Sequence, residues 1–153
     1  MKKVFFICYL LTVTCYLYSQ TAAELDSLLQ QESVTIATAA RFILGAAELL
    51  PPNLNGAAAA TVAYNMALEK GWTRKNAGDK ATLKDTAFLL MNAFNLKGGI
   101  MYSIFKNPRY AYREMVYQRL IQGRAYSSMQ LSGQRLLHII GRTLNEVEGR
   151  SEQ

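Results

Sequence analysis

The sequence predicts an all-α protein, a helical bundle of about three helix–loop–helix repeats. Three observations predict it: apolar residues recur at helical spacing, similar apolar stretches return along the chain, and helix starts carry capping residues. The 153 residues, half of them apolar, suit one domain with a buried core. We expect a secretory signal peptide at residues 1–20 and a single helical domain over 21–150, with repeats at about 22–50, 57–97 and 108–145.

The first twenty residues have the features of an export signal. Two lysines precede an uncharged apolar run at 4–18, which is short of the roughly 20 residues of a membrane-spanning helix, and small or polar residues follow at 19–23. We expect cleavage within 19–23 and export to the periplasm or cell envelope. The alternatives are an uncleaved anchor, a buried N-terminal helix, or a lipoprotein acylated at Cys15, although the residues around Cys15 fit the lipoprotein pattern poorly.

Three apolar stretches form the main helix of each repeat. They begin at Ile36, Leu83 and Leu131, at intervals of 47 and 48 residues. Within each stretch the apolar residues lie three and four positions apart, which predicts one buried stripe on a helix. Thr82 and Asp85 have the spacing of a capping box, so the second of these helices should begin there.

A second helix precedes each main helix. Residues 63–70 and 111–119 can be superposed with a slip of one residue, and 22–31 supplies the partner in the first repeat. Asn107 and Pro108 give the last of these helices a cap residue followed by proline at the first helical position. Because neither helix of a unit can bury its stripe alone, stacking three units should make the core.

The start of each main helix can be compared with a known motif. Residues 34–38 read Val-Thr-Ile-Ala-Thr, residues 81–85 read Ala-Thr-Leu-Lys-Asp, and residues 129–133 read Met-Gln-Leu-Ser-Gly. With the repeat pattern, these starts resemble the S-layer homology module of exported bacterial envelope proteins, over about residues 22–145. The resemblance implies a pseudo-threefold bundle that holds anionic cell-wall polymers through the Arg and Glu of an Ile-Thr-Arg-Ala-Glu-like run. Only the Thr, the Ala and one acid are kept, so the resemblance concerns architecture and not that polymer-binding chemistry.

The composition argues against catalysis and against a metal site. His138 is the sole histidine, both cysteines precede residue 16, and the acidic residues are scattered. A metal site needs three or four ligands, and a nucleophile needs a neighbouring base. We therefore expect a non-enzymatic protein with no cofactor and no metal. In the superposed repeats His138 takes the position of Ile43 and Leu90, which predicts a place at the edge of the core.

Positive charge is concentrated in residues 97–142, which hold eight Lys and Arg against one Glu and are rich in tyrosine. Arginine forks bind phosphate or carboxylate, and tyrosine rings pack on sugars or on arginine. Arg109 and Arg113 are one helical turn apart and should share one side of a helix. The sequence thus predicts a ligand-binding basic face made of Lys106, Arg109, Tyr110, Tyr112, Arg113 and Arg119.

The same segment has a purely structural interpretation. Aromatic stripes at helical spacing usually lie in a core, so Tyr102, Phe105, Tyr112 and Met115 would pack the linker on the bundle while the arginines are solvated. If the face binds, an exported protein meets a cell-wall polymer or another anionic envelope or membrane component rather than nucleic acid. We expect such a binding module; the alternative is a structural or interaction subunit that docks on another envelope protein through an apolar patch.

Overall fold

The computed structural model describes residues 22–151, and this part of the chain is all-α, with seven helices and no sheet, which confirms the predicted fold class. The predicted signal peptide and Cys15 lie outside the described residues. None of the described helices is both long and apolar enough to cross a membrane. The helices are α1 (22–29), α2 (Ile36–Ala46), α3 (Gly56–Glu69), α4 (Leu83–Ala93), α5 (Ile100–Ile104), α6 (Pro108–Tyr117) and α7 (Gly133–Ser151).

Helices α2, α4 and α7 each begin after a hydroxyl residue that caps free backbone amides. Thr35 Oγ1 accepts a hydrogen bond from the Thr38 amide at 3.2 Å, and Ser132 Oγ accepts one from the Arg135 amide at 3.3 Å. At α4 the Thr82 amide donates to Asp85 Oδ2 at 3.1 Å, as the sequence predicts for a capping box. The three helix starts therefore share a hydroxyl residue at the same position, and α4 adds Asp85 as a partner for the amide of Thr82.

A closed ring of backbone hydrogen bonds joins the segments that lead into these helices. The Val34 amide donates to the Leu131 carbonyl at 2.8 Å, Leu131 to Ala81 at 3.1 Å, and Ala81 to Val34 at 2.9 Å. All three residues are fully buried. The ring gives the centre of the domain pseudo-threefold symmetry. A second layer of amide-to-carbonyl bonds runs around the repeats in the opposite direction, from Ile36 to Asp79 at 2.9 Å, Leu83 to Met129 at 3.0 Å and Gly133 to Gln31 at 2.9 Å.

This hydrogen bonding corrects the sequence superposition of the third repeat. Gly133, and not Leu131, is equivalent to Ile36 and Leu83, so the intervals are 47 and 50 residues. The physical reason is a close approach of two backbones, because a Cβ built on Gly133 would lie 1.7 Å from the Leu28 carbonyl oxygen. The third copy thus has glycine where the other two have the apolar residue on which the superposition depends.

The corrected register also moves His138. It becomes equivalent to Arg41 and Phe88, and its side chain is exposed. The expectation that His138 lies at the edge of the core is therefore wrong. The same shift places Ser132 at the cap position of Thr35 and Thr82, so all three copies keep a hydroxyl there.

The core is made where α2, α4 and α7 meet, and the other helices pack around them. Helix α3 packs on α2 and α6 packs on α4, so the first helix of one repeat covers the main helix of the repeat before it. Because α3 and α6 pack on the main helix of the preceding repeat, the repeats are not self-contained helical hairpins. The largest fully buried side chains are Leu28, Ile36, Ile43, Leu44, Leu83, Leu89, Leu90, Met91, Met115, Leu131, Leu136 and Ile139.

Glu24 on α1 joins three helices. Its carboxylate forms an ion pair with the Arg41 guanidinium on α2, and its Oε1 accepts a hydrogen bond at 2.7 Å from the amide of Gly56, the first residue of α3. An acidic group is favourable at this end of a helix, where the amides are unpaired. The bonds of Glu24 thus fix α1 and α3 relative to α2.

Candidate binding face

Helix α6 carries most of the predicted basic face. Asn107 Oδ1 accepts hydrogen bonds from the amides of Arg109 at 3.0 Å and Tyr110 at 3.1 Å, so the helix begins where the sequence predicts. Ala111 and Met115 form the buried side of α6. Since α6 packs on α4, this register leaves Arg109 and Arg113 exposed.

A cavity of about 560 Å³, which we call the tyrosine cavity, lies between α5 and α6. Three residues of the predicted face, Tyr110, Tyr112 and Arg113, line it together with Tyr117. Tyr110 and Tyr112 are half-buried and pack against the core, whereas Arg113 is exposed. The structure thus brings three of the six predicted residues to one cavity.

Lys106 belongs to a different cavity, of about 210 Å³, at the start of α6. Trp72 lines the same cavity, together with the ion pair between Lys75 Nζ and Asp85 Oδ2 at 2.7 Å. The ammonium of Lys70 lies 5.3 Å from the centre of the Trp72 ring, in a cation–π contact. Lys106 therefore lines a different cavity from the one that Tyr110 and Tyr112 line.

Arg109 and Arg119 are exposed and line neither of these two cavities. Arg119 follows α6 with a φ of 59°, in the left-handed region that ends many helices. Within residues 22–150, none of the four basic residues of the predicted face forms an ion pair with a carboxylate. Their charges are therefore available to an external anion.

Several other polar groups of the α5–α6 region form hydrogen bonds within the described part of the chain, whereas Gln118 Oε1 is buried there without a hydrogen-bond partner. Glu114, the one acid of residues 97–142, lines the tyrosine cavity and accepts a hydrogen bond from Gln118 Nε2 at 3.0 Å. Gln118 Nε2 also donates to the Lys97 carbonyl at 3.1 Å. Burial raises the pKa of Tyr102, so this phenol stays neutral and serves as an anchor for α5.

Helix α5 and the residue after it form an exposed apolar surface that the sequence analysis did not predict. Ile100, Met101, Ile104 and Phe105, which we call the α5 patch, are 78%, 60%, 65% and 52% exposed. The packing expectation is met at Tyr102 and Met115, which are buried, and at Tyr112, which packs against the core, but it is wrong for Phe105. The Phe105 ring instead stacks on Tyr110, with ring centres 5.9 Å apart. The sequence feature that could have identified the α5 patch is the apolar run between Gly98-Gly99 and Asn107-Pro108.

His138 lines a shallow basic cleft on α7, of about 280 Å³, between Arg135 and Arg142. Arg135 donates to the carbonyls of Gln122 and Arg124, both at 3.1 Å. Arg142 donates to the Leu120 carbonyl at 3.3 Å. These arginines hold the loop before α7 in place, which gives them a structural role.

Residues 22–150 contain no group of three or more His, Cys, Asp or Glu side chains placed to hold a metal ion. Comparison with known proteins adds no family to this description. No protein-family model matches the chain, and neither the curated proteins nor the solved structures contain a match.

Proposed function

We propose that this protein is a non-enzymatic binding module of the cell envelope that contacts an anionic cell-wall or membrane component through the basic face. The observation that carries the proposal is the set of exposed Lys and Arg side chains without carboxylate partners in the described part of the chain. The proposal includes export through the leader at 1–20, or anchoring at Cys15, and the resemblance to the S-layer homology module.

The arrangement suits an extended anionic ligand rather than a small one. Arg109 and Arg113 lie one turn apart on the exposed side of α6, and Arg113 also reaches the tyrosine cavity. Their guanidinium groups can take phosphate or carboxylate with two parallel hydrogen bonds each. The half-buried Tyr110 and Tyr112 offer ring surface beside them at little cost in side-chain entropy. Several weak charge contacts along one face then add up.

The alternative role, docking on another envelope protein, also has a surface. The α5 patch is exposed and apolar, as a docking site would be. The two roles differ in their response to salt, because screening weakens exposed charge contacts and leaves apolar contacts almost unchanged.

The experiment is co-sedimentation of the purified chain with peptidoglycan sacculi carrying their anionic polymers, over a salt series. We expect binding at low salt that decreases steeply as salt rises. The Arg109→Glu/Arg113→Glu variant should bind at least about tenfold more weakly, because it reverses two charges near the ligand.

The matched control is Lys80→Glu/Lys84→Glu, which changes the net charge equally beside the start of α4 and should bind like the wild type. Equal losses in both double variants would mean that overall charge, and not the basic face, drives binding. A protein that stays in the supernatant at low salt would exclude the cell-wall ligand.

A further inference from the structure

Helix α5 is built with its apolar side chains outward. Of its five residues only Tyr102 is buried. A patch of large exposed apolar side chains of this kind marks an interaction site more often than a fold element. The α5 patch continues across the tyrosine cavity to Val116 and Tyr117 on α6, which are also exposed.

The exposure is a fixed feature of the fold. A Cβ on Gly98 would lie 2.5 Å from Cδ1 of Tyr102, so the chain before α5 passes directly over this ring. Ser103 Oγ donates to the Gly99 carbonyl at 3.1 Å, and the ring of Phe105 stacks on Tyr110. The burial of Tyr102 and the stack of Phe105 on Tyr110 hold α5 in one orientation, with Ile100, Met101 and Ile104 exposed.

The charges around the patch indicate what covers it. Basic residues precede α5, follow it, and recur on the exposed side of α6. The one acid nearby, Glu114, is half-buried and hydrogen-bonded to Gln118. A second copy of this chain would bring two positive rims together, which is unfavourable. An anionic lipid surface offers both an apolar interior for the patch and negative charge for its rim. By rim we mean five exposed basic residues that precede or follow α5 or lie on or just after α6: Lys97, Lys106, Arg109, Arg113 and Arg119.

We propose that the α5 patch inserts into the interface of an anionic phospholipid bilayer while the basic rim contacts the headgroups. This inference rests on the proposed function and selects the membrane as the anionic component. Tyr117 would then lie at headgroup depth, where amphipathic aromatic rings are favoured.

Insertion can be measured at a single residue. A chain with Cys8→Ser and Cys15→Ser receives one cysteine at Met101→Cys, labelled with an environment-sensitive fluorophore. The matched control carries the label at Leu68→Cys, an exposed apolar position on α3. Both chains keep the apolar N-terminal run, so attachment through it affects them equally.

With vesicles of phosphatidylcholine and phosphatidylglycerol we expect a blue shift at position 101 that acyl-chain spin labels quench, and none at position 68. Vesicles of phosphatidylcholine alone should give a much smaller shift at 101. The inference is overturned if the label at 101 stays in water with anionic vesicles.

A second variant separates this inference from the proposed function. Ile100→Ser/Ile104→Ser removes two exposed side chains and should leave the fold intact, as circular dichroism can verify. We expect its affinity for anionic vesicles to decrease by about tenfold or more per side chain. Unchanged affinity in this variant, with loss in Arg109→Glu/Arg113→Glu, would overturn insertion and keep the charge-based function. Binding to neither vesicles nor sacculi would remove the function itself.

Sedimentation velocity tests whether a second copy of this chain covers the α5 patch instead. If the wild type forms a dimer that Ile100→Ser/Ile104→Ser converts to a monomer, the patch binds a second copy, and the lipid inference fails.

Discussion

Helices α3 and α6 occupy similar positions and differ in what they show to solvent. Each packs on the main helix of the preceding repeat through its buried residues, which are Ala59, Ala63 and Ala67 on α3, and Ala111 and Met115 on α6. Helix α3 contains no Lys or Arg, whereas α6 exposes Arg109 and Arg113. The inner side of each helix is set by packing, so the charges on the outer side can differ between the two copies.

Corresponding tyrosines sharpen this contrast. In the predicted superposition of the partner helices, Tyr64 on α3 corresponds to Tyr112 on α6. The Tyr64 hydroxyl donates to the Lys75 carbonyl at 3.1 Å and so fixes the loop before α4. Tyr112 lines the cavity that faces α5. One tyrosine stabilises a loop, while the other contributes surface to the basic face.

The largest expected effect is a loss of stability at Gly133, in the core on which both α3 and α6 depend. Gly133→Ala places a Cβ 1.7 Å from the Leu28 carbonyl oxygen, so two backbone segments must separate. We expect the free energy of unfolding to decrease by about 3 kcal/mol or more, measured by urea denaturation. Gly141→Ala is the matched control, because that helical glycine has no atom within 4 Å of the added Cβ and the change should stabilise α7 by about 0.5–1 kcal/mol. Similar stability in the two variants would contradict the close approach.

Overpacking the inner sides tests whether α3 and α6 are equivalent. Ala63 and Ala111 are fully buried at their contacts. Leucine at either position must displace neighbouring side chains, and we expect a loss of about 1–3 kcal/mol in each variant, by the same denaturation assay. A large loss in one helix with none in the other would show that the two helices are packed differently.

A smaller difference in stability is expected between removing Glu24, which forms an ion pair, and removing Glu114, which forms none among the described residues. Glu24→Gln removes the ion pair with Arg41 but keeps an oxygen for the Gly56 amide, so we expect a loss of about 1 kcal/mol. Glu114→Gln, which has no basic partner among the described ion pairs, should change stability by less than about 0.5 kcal/mol. Thermal unfolding of the two variants at low and high salt checks this order, and only the first difference should shrink with salt.

Local signals made the main elements predictable. The capping box at Thr82 and the Asn107-Pro108 start act over three or four residues, so the sequence contains all the information needed. The charge concentration on residues 97–142 was equally visible, and two of the residues to which it led, Arg109 and Arg113, lie on the exposed side of α6.

The features that the sequence analysis missed depend on contacts between distant segments. The place of Gly133 follows from its approach to Leu28, more than 100 residues earlier. The apolar side chains of α5 are exposed because Tyr102 is the residue that is buried, whereas the apolar sequence alone predicts that they pack in the core. Helix α3 of the second repeat packs on α2 of the first repeat, and the periodicity within one repeat cannot show such packing.

The hydrogen-bonded ring has a consequence for how the chain folds. A linear repeat array can add or lose an end unit, because each repeat contacts only its neighbours. Here Val34 donates directly to Leu131, so the first and last repeats are neighbours and the array is closed. A nascent chain that has not yet released residue 133 from the ribosome lacks one side of this closure. Folding should therefore be cooperative, slow for a helical protein because of its long-range closure, and completed only after the third repeat is synthesised.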